Sequence, residues 1–386
     1  MTDIDLAAAE AGFAASTDFT VGLEEEFAVL DPATLDMVPR FDELRIAAEA
    51  RDEVLATSIS GELIASEIEI RSGRGTDVHD AIARQRDARR RLFALAEAEG
   101  AWLGATGTHP WADYREIPNI DTEHYRRVVE GLQYVARRNN TFSLHVHVGI
   151  RGADRAIAVT DRLRGVLPTL LAVSANSPWV DGRDSGLHSA RTQTFTKSFP
   201  RCGIPDVFGT WAEYRDYVAL LARTNSIVEY TQVWWSVRPH VSFGTVEVRI
   251  CDVQATAVES DALIELIVAV VAQTARDVDE GRPFAHPAPR MIEENMWRAI
   301  RHGRDGRLLD LDRLEEEPVD AAIERLLRWT EPVRGELGIS AALPADNGAQ
   351  RQRAMIAAGA TREEVYAASV AQTRQTYAQP QEVPSP

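Results

Sequence analysis

Residues 142–150 read FSLHVHVGI, and this stretch decides the fold prediction. Side chains alternate between the two faces of a β-strand, so His145 and His147 share one face while the aliphatic residues around them share the other. The alternation predicts a strand with one apolar face against a core and one polar face.

Three further stretches alternate in the same way, with charged residues on the polar face. These are Glu24 and Glu26 in GLEEEFAVL (22–30), Glu67, Glu69 and Arg71 in SEIEIR (66–71), and Glu247 and Arg249 in GTVEVRI (244–250). Glu25 falls on the apolar side and does not fit the pattern. A half-solvated sheet explains any one of these strands, but four acidic strands matched by His and Arg favour a shared polar site.

Helical periodicity and capping signals predict helices over 77–99, 153–172, 258–278 and 363–376, with Pro168 bending the second. The arginines of the 77–99 helix are expected on a solvated face. Strands and helices do not alternate strictly along the chain. We therefore predict an α+β fold with a mainly antiparallel sheet.

The chain has 386 residues and no Gly/Ser-rich linker, which favours a single catalytic domain over residues 18–376. Residues 1–17 are Ala-rich, and we expect a flexible N-terminus that is either loosely ordered or a short helix. The tail AQPQEVPSP contains three prolines and predicts disorder over residues 377–386.

The charge balance excludes some classes of partner. Lys and Arg number 42 and Asp and Glu 59, giving a net charge of −17, which argues against binding to nucleic acid or to anionic membranes. No apolar run approaches the ~20 residues of a membrane span, and the N-terminus does not resemble a secretory signal. We expect a cytoplasmic protein, a possible homo-oligomer, in which Cys202 and Cys251 are free thiols.

Several carboxylates on neighbouring strands repel one another, and a bound cation would offset that repulsion. Carboxylates with an imidazole and no thiolate suit Mg²⁺ or Mn²⁺. An arginine two residues from a metal-binding glutamate can contact a phosphate, which indicates phosphoryl transfer from a nucleotide. The sequence contains neither a Walker A motif nor the protein-kinase motifs. RSGRGT at 71–76 predicts a turn, with a phosphate cradle as the second interpretation.

Together these motifs resemble the type 2 glutamate–cysteine ligases, carboxylate–amine ligases of the glutamine-synthetase-like superfamily. The resemblance runs from about Phe19 to Arg353. The matching segments are VGLEEEF, GTHP (107–110), LHVHVGI, SANSPWVDGRDSG (174–186), SAR (189–191), WWSVRP (234–239), FGTVEVRICDVQ (243–254), ENMWRAIRHGRDG (294–306) and NGAQRQR (347–353). The resemblance implies a curved antiparallel sheet with metals and nucleotide on its concave face and helices on the other.

The resemblance also implies roles for individual residues. The expected metal ligands are Glu24, Glu26, Glu69, His145 and Glu247. The expected catalytic residues are Arg249, which would contact phosphate, and Glu247.

Further residues are candidates for binding the substrates. Arg191 and His109 are candidate substrate contacts. Arg351 and Arg353 are candidates for binding ATP phosphates, with a surface role as the alternative.

The activity implied is an ATP-dependent ligation through an acyl phosphate, with ATP and amino acids as small-molecule substrates and glutamate–cysteine ligation as the first candidate. A guanidino kinase or a protein side-chain ligase on the same scaffold is one alternative. A member that binds nucleotide without catalysis is the other.

Overall fold

The computed structural model describes residues 4–378, and its central feature is a seven-stranded sheet. The strands of the chain are β1 (Val21–Leu30), β2 (Ile59–Ser60), β3 (Glu67–Arg71), β4 (Trp102–Gly104), β5 (Ser143–Gly149), β6 (Trp179–Val180), β7 (Arg183–Asp184), β8 (Cys202–Gly203), β9 (Trp234–Trp235), β10 (Val237–His240), β11 (Thr245–Asp252), β12 (Arg307–Asp310) and β13 (Glu315–Pro318). The sheet has the order β10–β11–β5–β1–β3–β2, with β4 also paired to β1, and every pairing in it is antiparallel.

Helices cover one face and the ends of this sheet. They are α1 (Leu6–Ala15), α2 (Phe41–Arg51), α3 (Glu53–Ser58), α4 (Val78–Ala98), α5 (Glu123–Leu132), α6 (Tyr134–Arg137), α7 (Ala153–Leu163), α8 (Leu167–Ser174), α9 (Ala190–Ser198), α10 (Trp211–Arg223), α11 (Ala257–Asp279), α12 (Pro289–His302), α13 (Val319–Leu337), α14 (Gly348–Ala357) and α15 (Arg362–Ala378). Short 3₁₀ turns span Tyr230–Gln232 and Gly303–Asp305.

The apolar face of the sheet forms the main core. The aliphatic residues of β5 and β11 are fully buried there with those of α7, α8 and α11. Helix α4 packs on β1 and β3 at the other end of the same face. The predicted α+β fold, with an antiparallel sheet and helices on the face opposite the polar residues, is confirmed.

The sheet register brings the polar residues of different strands together. Glu24 of β1 lies opposite His145 of β5 and Arg71 of β3, and Glu26 lies opposite Glu69. On the other side of β5, His147 lies opposite Glu247 of β11. Segments far apart in the sequence therefore place their acidic and basic side chains on one surface.

A bulge in β11 alters the alternation predicted for that strand. Two residues of β11 oppose one of β5 between Val248 and Cys251, so Cys251 pairs with Leu144 and Asp252 with Ser143. Without the bulge, Cys251 would point to the polar face and Asp252 to the core. The extra residue exchanges the two, so Cys251 is buried in the core.

Glu25, which does not fit the alternation, is explained by a buried ion pair on the apolar face. Arg89 of α4 donates to its two carboxylate oxygens at 2.5 and 2.7 Å and also contacts Asp261 of α11 at 2.9 Å. Burial raises the pKa of Glu25, but Arg89 and the hydroxyl of Ser260 more than offset this, so the net pKa is lowered. Arg89 is fully buried, which corrects the expectation that the arginines of this helix are all solvated.

The predicted helices are found with one change. Three of them correspond to α4, α11 and α15, and the caps of α4 and α11 are Asp77 and Thr256. The helix predicted over 153–172 is two helices, α7 and α8, because the chain leaves α7 after Leu163 and Pro168 lies in the first turn of α8, where a proline ring is tolerated.

The N-terminus has the short helix that was one of its two predicted alternatives, whereas the C-terminus is ordered further than predicted. Residues 6–15 form α1, in which Phe13 is fully buried and its ring packs edge-on against Trp211 at 5.6 Å. At the other end, Tyr377 is buried in α15 and donates to the carbonyl of Gln254 at 2.9 Å. The rest of the predicted disordered tail, residues 379–386, lies outside the described residues.

Two further sequence expectations concern the membrane and the thiols. Among residues 4–378, no helix is both long enough and apolar enough to cross a bilayer. Cys202 and Cys251 are both free, and burial raises the pKa of Cys251 to about 12, so this thiol stays protonated.

The buried pair of Glu25 and Arg89 yields a stability prediction. We expect Arg89→Met to lower the free energy of unfolding by about 3–5 kcal/mol, because it leaves the buried carboxylate of Glu25 without its guanidinium, whereas Asp261 keeps Arg86 at 2.8 Å. Urea unfolding followed by circular dichroism measures this change. Arg90→Met is the matched control, since Arg90 pairs with Asp87 on the exposed face of the same helix, and we expect less than about 0.5 kcal/mol from it. Equal effects of the two substitutions would contradict the prediction.

Candidate active site

The polar face of the sheet is the floor of a cavity of about 400 Å³. Helices α5 and α9 and the loop that contains Glu62 form its walls. The predicted residues that line it are Glu24, Glu26, Glu69, His145, Arg191 and Arg249. Glu247 lies beside them in the floor, covered by two arginines.

Three groups of side chains in this floor have the geometry of a metal site. Within each group, donor atoms lie within 4.8 Å of one another. The groups are Glu24 with Glu69 and His145, Glu24 with His147 and Glu247, and Glu26 with Glu62 and Glu69. The structure thus brings together all five of the metal ligands that the resemblance implies, and adds Glu62 and His147.

The orphaned atoms of the floor fit a cation. Nε2 of His147 lies 3.3 Å from Glu24 Oε1 and 3.7 Å from Glu247 Oε1, yet it is buried and has no hydrogen-bond partner in the part of the chain that the structure describes. The donors are carboxylates and imidazoles without thiolates, the set that hard divalent ions such as Mg²⁺ and Mn²⁺ accept. These residues therefore fit a divalent cation.

The carboxylates on the β3 side of the floor are held in an unfavourable state. Burial, and then the negative charges of Glu26 and Glu24, raises the pKa of Glu62 to about 8. The same two causes, burial and neighbouring carboxylates, raise the pKa of Glu67 and of Glu69 well above the usual range. Ionising these three carboxyl groups in the folded protein therefore lowers its stability unless a cation lies among them.

On the β11 side, the negative charge of Glu247 is already neutralised by arginines of the chain. Burial raises the pKa of Glu247, but Arg238, Arg249 and His147 outweigh it and hold this pKa well below the usual range. Arg238 donates to Glu247 Oε2 at 2.6 Å, and Arg249 bonds the other oxygen. Two guanidinium groups thus share one carboxylate, which fixes the position of Arg249.

The histidines and Glu24 connect the two sides. Nδ1 of His145 lies 2.9 Å from Glu24 Oε2. Burial raises the pKa of Glu24, but His147 and His145 outweigh it, so its net pKa is well below normal. Burial, and next Arg249, lowers the pKa of His145, and a neutral imidazole is the form that binds a metal.

Arg191 reaches the cavity from the first turn of α9. Its Nη1 donates to the carbonyl of Ile250 at 3.0 Å and its Nη2 to that of Arg249 at 3.2 Å. The bulge in β11 provides the anchor for this region, because it turns Asp252 toward the loop before α9. Asp252 accepts from Ser189 Oγ at 2.9 Å and from Ser177 Oγ at 2.7 Å.

His109 does not lie in the cavity, which corrects its assignment as a substrate contact. Its ring is packed between Trp111 and Tyr366, with centroids 4.8 Å from each. One ring nitrogen bonds the carbonyl of Leu35 at 2.8 Å and the other accepts from the backbone of Ala112 at 3.0 Å. Burial lowers its pKa to about 4. This neutral histidine supports the structure around the loop that carries it.

Arg351 and Arg353 also lie outside the cavity, so their assignment to ATP phosphates is corrected. Arg351 pairs with Glu259 at the start of α11. Arg353 pairs with Asp184 at 2.9 Å and donates to the carbonyl of Leu187. Both guanidinium groups pair with carboxylates of the fold, and both side chains are partly exposed. The geometry therefore supports the surface role that was the alternative.

A second cavity of about 320 Å³ adjoins the first. The two share Glu24, Arg71, Ser242 and Phe243. Its lining is mostly apolar, with Gly73 and Arg74 of the RSGRGT turn at one side. Phe243 is 60% exposed and stacks on His240, with ring centroids 4.3 Å apart and planes 9° from parallel.

Sequence reasoning missed Glu62, Arg238 and the metal-ligand position of His147. Glu62 lies in a loop with no periodicity, so no pattern assigns it a face. Arg238 lies in the segment SVRP. Its role follows from its position opposite Glu247 in the sheet, and the sequence does not specify that pairing. His147 was placed on the correct face, but its distance to Glu247 depends on the pairing of two strands that the sequence does not specify.

Comparison with known proteins gives a family match over most of the chain. The sequence model of the family described as glutamate-cysteine ligase family 2 matches residues 20–372. A protein of Solibacter usitatus named "Putative glutamate--cysteine ligase 2" is 38% identical over 343 residues, which cover 86% of this chain and 88% of that one. A protein of Natronomonas pharaonis named "Glutamate--cysteine ligase" is 35% identical over 340 residues, covering 87% and 91%.

Solved structures show the same fold at low sequence identity. A crystal structure of glutamate--cysteine ligase from Francisella tularensis, in complex with AMP, has a TM-score of 0.65 and 12% identity, covering 94% of this chain and 90% of that one. A bifunctional glutathione synthetase from Pasteurella multocida has a TM-score of 0.66 and 13% identity, covering 96% of this chain and 54% of that one.

The raised carboxyl pKa values predict how pH and metal affect stability. A raised folded-state pKa gives stability that is present at low pH and lost as pH rises through that pKa, near 8 for Glu62. The metal-free protein should therefore lose thermal stability progressively as the pH rises from about 5 to about 8. Mn²⁺ should raise the melting temperature more at the higher pH, because its ligands must be deprotonated.

Differential scanning calorimetry with and without Mn²⁺ tests this expectation. Glu62→Gln removes one ionisable ligand, so we expect a metal-free protein whose melting temperature depends less on pH and which responds less to Mn²⁺. A Mn²⁺ effect that is the same at both pH values in the wild type would refute the assignment of the carboxylate groups.

Proposed function

The chain belongs to glutamate–cysteine ligase family 2, and from this membership and the cavity geometry we propose that it is an ATP-dependent carboxylate–amine ligase, with glutamate and cysteine as the first pair of substrates to test. One observation carries the proposal. Three groups of carboxylate and imidazole donors lie around a single cavity together with Arg249 and Arg238, and this arrangement supports the proposal.

The reaction requires activation of a carboxylate. A carboxylate is a poor acyl donor because its oxygen is a poor leaving group. Transfer of the γ-phosphoryl group of ATP to that oxygen releases ADP and gives an acyl phosphate. The amine nitrogen then forms the C–N bond, the C–O bond to phosphate breaks, and inorganic phosphate leaves.

The protein's own residues supply position and charge for these steps. Arg249, held by Glu247 in a buried site, is a preorganised donor for the transferring phosphoryl group, and removing such a donor costs about 2.7–4 kcal/mol in other enzymes. Arg191 presents a guanidinium to the carboxylate of a substrate. No step requires a covalent enzyme intermediate, and the protonated thiol of Cys251 takes no part.

The three ligand groups would hold divalent cations. Glu26, Glu62 and Glu69 form one candidate site, Glu24, Glu69 and His145 form a second, and Glu24, His147 and Glu247 form a third. When bound, divalent cations would neutralise the negative charge that develops on the phosphate groups. The choice between Mg²⁺ and Mn²⁺ stays a prediction, as do the cytoplasmic location and a homo-oligomeric state.

The two adjoining cavities suit different substrates. The apolar second cavity, with the exposed ring of Phe243, suits a nucleobase, since aromatic rings stack on bases. The acidic floor between the cavities suits metal-bound phosphates. The first cavity, with Arg191 in its wall, suits the amino-acid substrates.

A screen of substrate pairs tests the proposed activity. Purified protein with Mg²⁺, ATP and pairs of amino acids should release phosphate only when a carboxylate and an amine are both present, and mass spectrometry should detect the amide. A panel of guanidines and protein side-chain amines identifies a kinase or side-chain ligase instead. Nucleotide binding without turnover on any of these would show a non-catalytic member.

Arg249→Ala should remove the catalytic step without unfolding the protein. We expect kcat to fall by about 10²–10³-fold, because the transferring phosphoryl loses its buried donor, while Arg238 still neutralises Glu247. Phosphate release measures activity, and the melting temperature monitors folding. Arg353→Ala is the control, since Arg353 pairs with Asp184 outside the cavity and should keep wild-type activity. Undiminished activity of Arg249→Ala would end the assignment.

A further inference from the structure

Glu67 is a buried carboxylate in the cavity for which the metal groups provide no role. It is 1% exposed and projects from the polar face of β3. It lies two residues before Glu69, which is paired with Glu26 of β1. Its Oε2 has no hydrogen-bond partner anywhere in residues 4–378. Buried carboxylates are normally satisfied, so this one calls for a ligand.

A metal does not explain Glu67. None of the three groups of donor atoms found among the described residues includes it, although two of its neighbours on the floor, Glu62 and Glu69, belong to them. A structural role does not explain it either. An unpaired carboxylate beside other carboxylates lowers the stability of the fold, and no described side chain donates a hydrogen bond to Oε2 of Glu67.

Arg191 is the complementary group in the same cavity. Its two Nη atoms bond backbone carbonyls, but its Nε is buried without a partner in the described part of the chain. Asp252 lies 3.9 Å from its Nη1, and the charge of Arg191 also acts on Glu67 across the cavity, lowering a pKa that burial raises. One cavity therefore holds an incompletely satisfied carboxylate and an incompletely satisfied guanidinium, of opposite charge.

We propose that Glu67 binds the ammonium group of an α-amino acid substrate whose carboxylate is bound by Arg191. An ammonium carries three N–H donors and no acceptor, so it can satisfy the free oxygen of Glu67, and a zwitterion matches the two opposite charges. This inference rests on the proposed ligase function and deepens it. It makes Glu67 the residue that distinguishes an amino acid from the corresponding acid without an amino group.

Binding measurements test the proposal with matched pairs of ligands. Glutamate and glutarate form one pair, and cysteine and 3-mercaptopropionate the other. Each pair differs by the ammonium group. Isothermal titration of the Mn²⁺-loaded wild type should show tighter binding of the amino acid in at least one pair, by about tenfold or more. Glu67→Gln keeps the shape of the side chain and removes its charge, and should abolish that preference.

Two controls separate this role from metal binding. Glu67→Gln should bind Mn²⁺ as the wild type does, whereas Glu62→Gln should bind it more weakly, because Glu62 is in a ligand group and Glu67 is not. A loss of Mn²⁺ binding in Glu67→Gln overturns the proposal and makes Glu67 a metal ligand. Equal binding within both pairs by the wild type, or an unchanged preference in the variant, overturns it as well.

Kinetics then identify which substrate Glu67 holds. Hydroxylamine, which has no carboxylate and is uncharged at neutral pH, can replace the amine and trap the acyl phosphate as a hydroxamate. If Glu67 binds the acid substrate, the KM for that acid rises when Glu67→Gln is measured in the hydroxamate assay. If Glu67 binds the amine, hydroxamate formation is normal and only the KM for the amine rises. Absence of any hydroxamate from the wild type with intact pair selectivity would instead refute the ligase function alone.

Discussion

Repulsion between carboxylates on one face of a β-sheet is the constraint on which this molecule depends. Antiparallel pairing sets the carboxylates of β1 and β3 directly opposite one another, at a spacing that unfavourable charge would not select. What holds them there is the opposite face of the same strands. Its aliphatic side chains are fully buried against helices, and a shift of register by one residue would bury the charges and expose the core. The hydrophobic effect thus fixes the positions of acidic groups, and those groups in turn determine what the cavity can bind.

The repulsion is relieved differently on the two sides of the floor. On the β11 side, two arginines neutralise Glu247 before any ligand arrives, so the group that would contact phosphate is already in place. On the β3 side, no arginine among residues 4–378 lies within ion-pair distance of Glu62 or Glu67, Glu69 has only Arg71 at 3.7 Å, and the pKa of each of the three stays raised. One half of the site is therefore preorganised by the chain, and the other half is completed by what binds to it. The proposed dependence on divalent ions and the proposed selectivity for charged substrates both follow from this asymmetry.

Period-two alternation was sufficient to predict the strands and the polar face, because burial of one sheet face imposes that pattern on the sequence, whereas the candidate metal ligands came from the family resemblance. It failed where position depends on tertiary contacts. Glu62 lies in a loop, and Arg238 acquires its role only through pairing with Glu247. The isolated arginines show the same limit. Arg89 looks like a surface residue in a helical sequence but is buried against Glu25, whereas Arg351 and Arg353 occur in a family motif yet pair with carboxylates outside the cavity. A sequence gives the charge of such residues but not their partner.

The bulge in β11 divides the strand into two parts that can change independently. Before it, Glu247 and Arg249 are in register with the histidines of β5; after it, Asp252 lies on the same polar face beyond the metal groups and fastens the loop that leads to Arg191. Under the proposed function, the residues assigned to ATP chemistry and those assigned to substrate recognition are thus attached to different stretches of one strand. Divergence among descendants of this fold can remodel the loop, and with it the range of amines and acids accepted, while leaving the phosphoryl-transfer apparatus untouched.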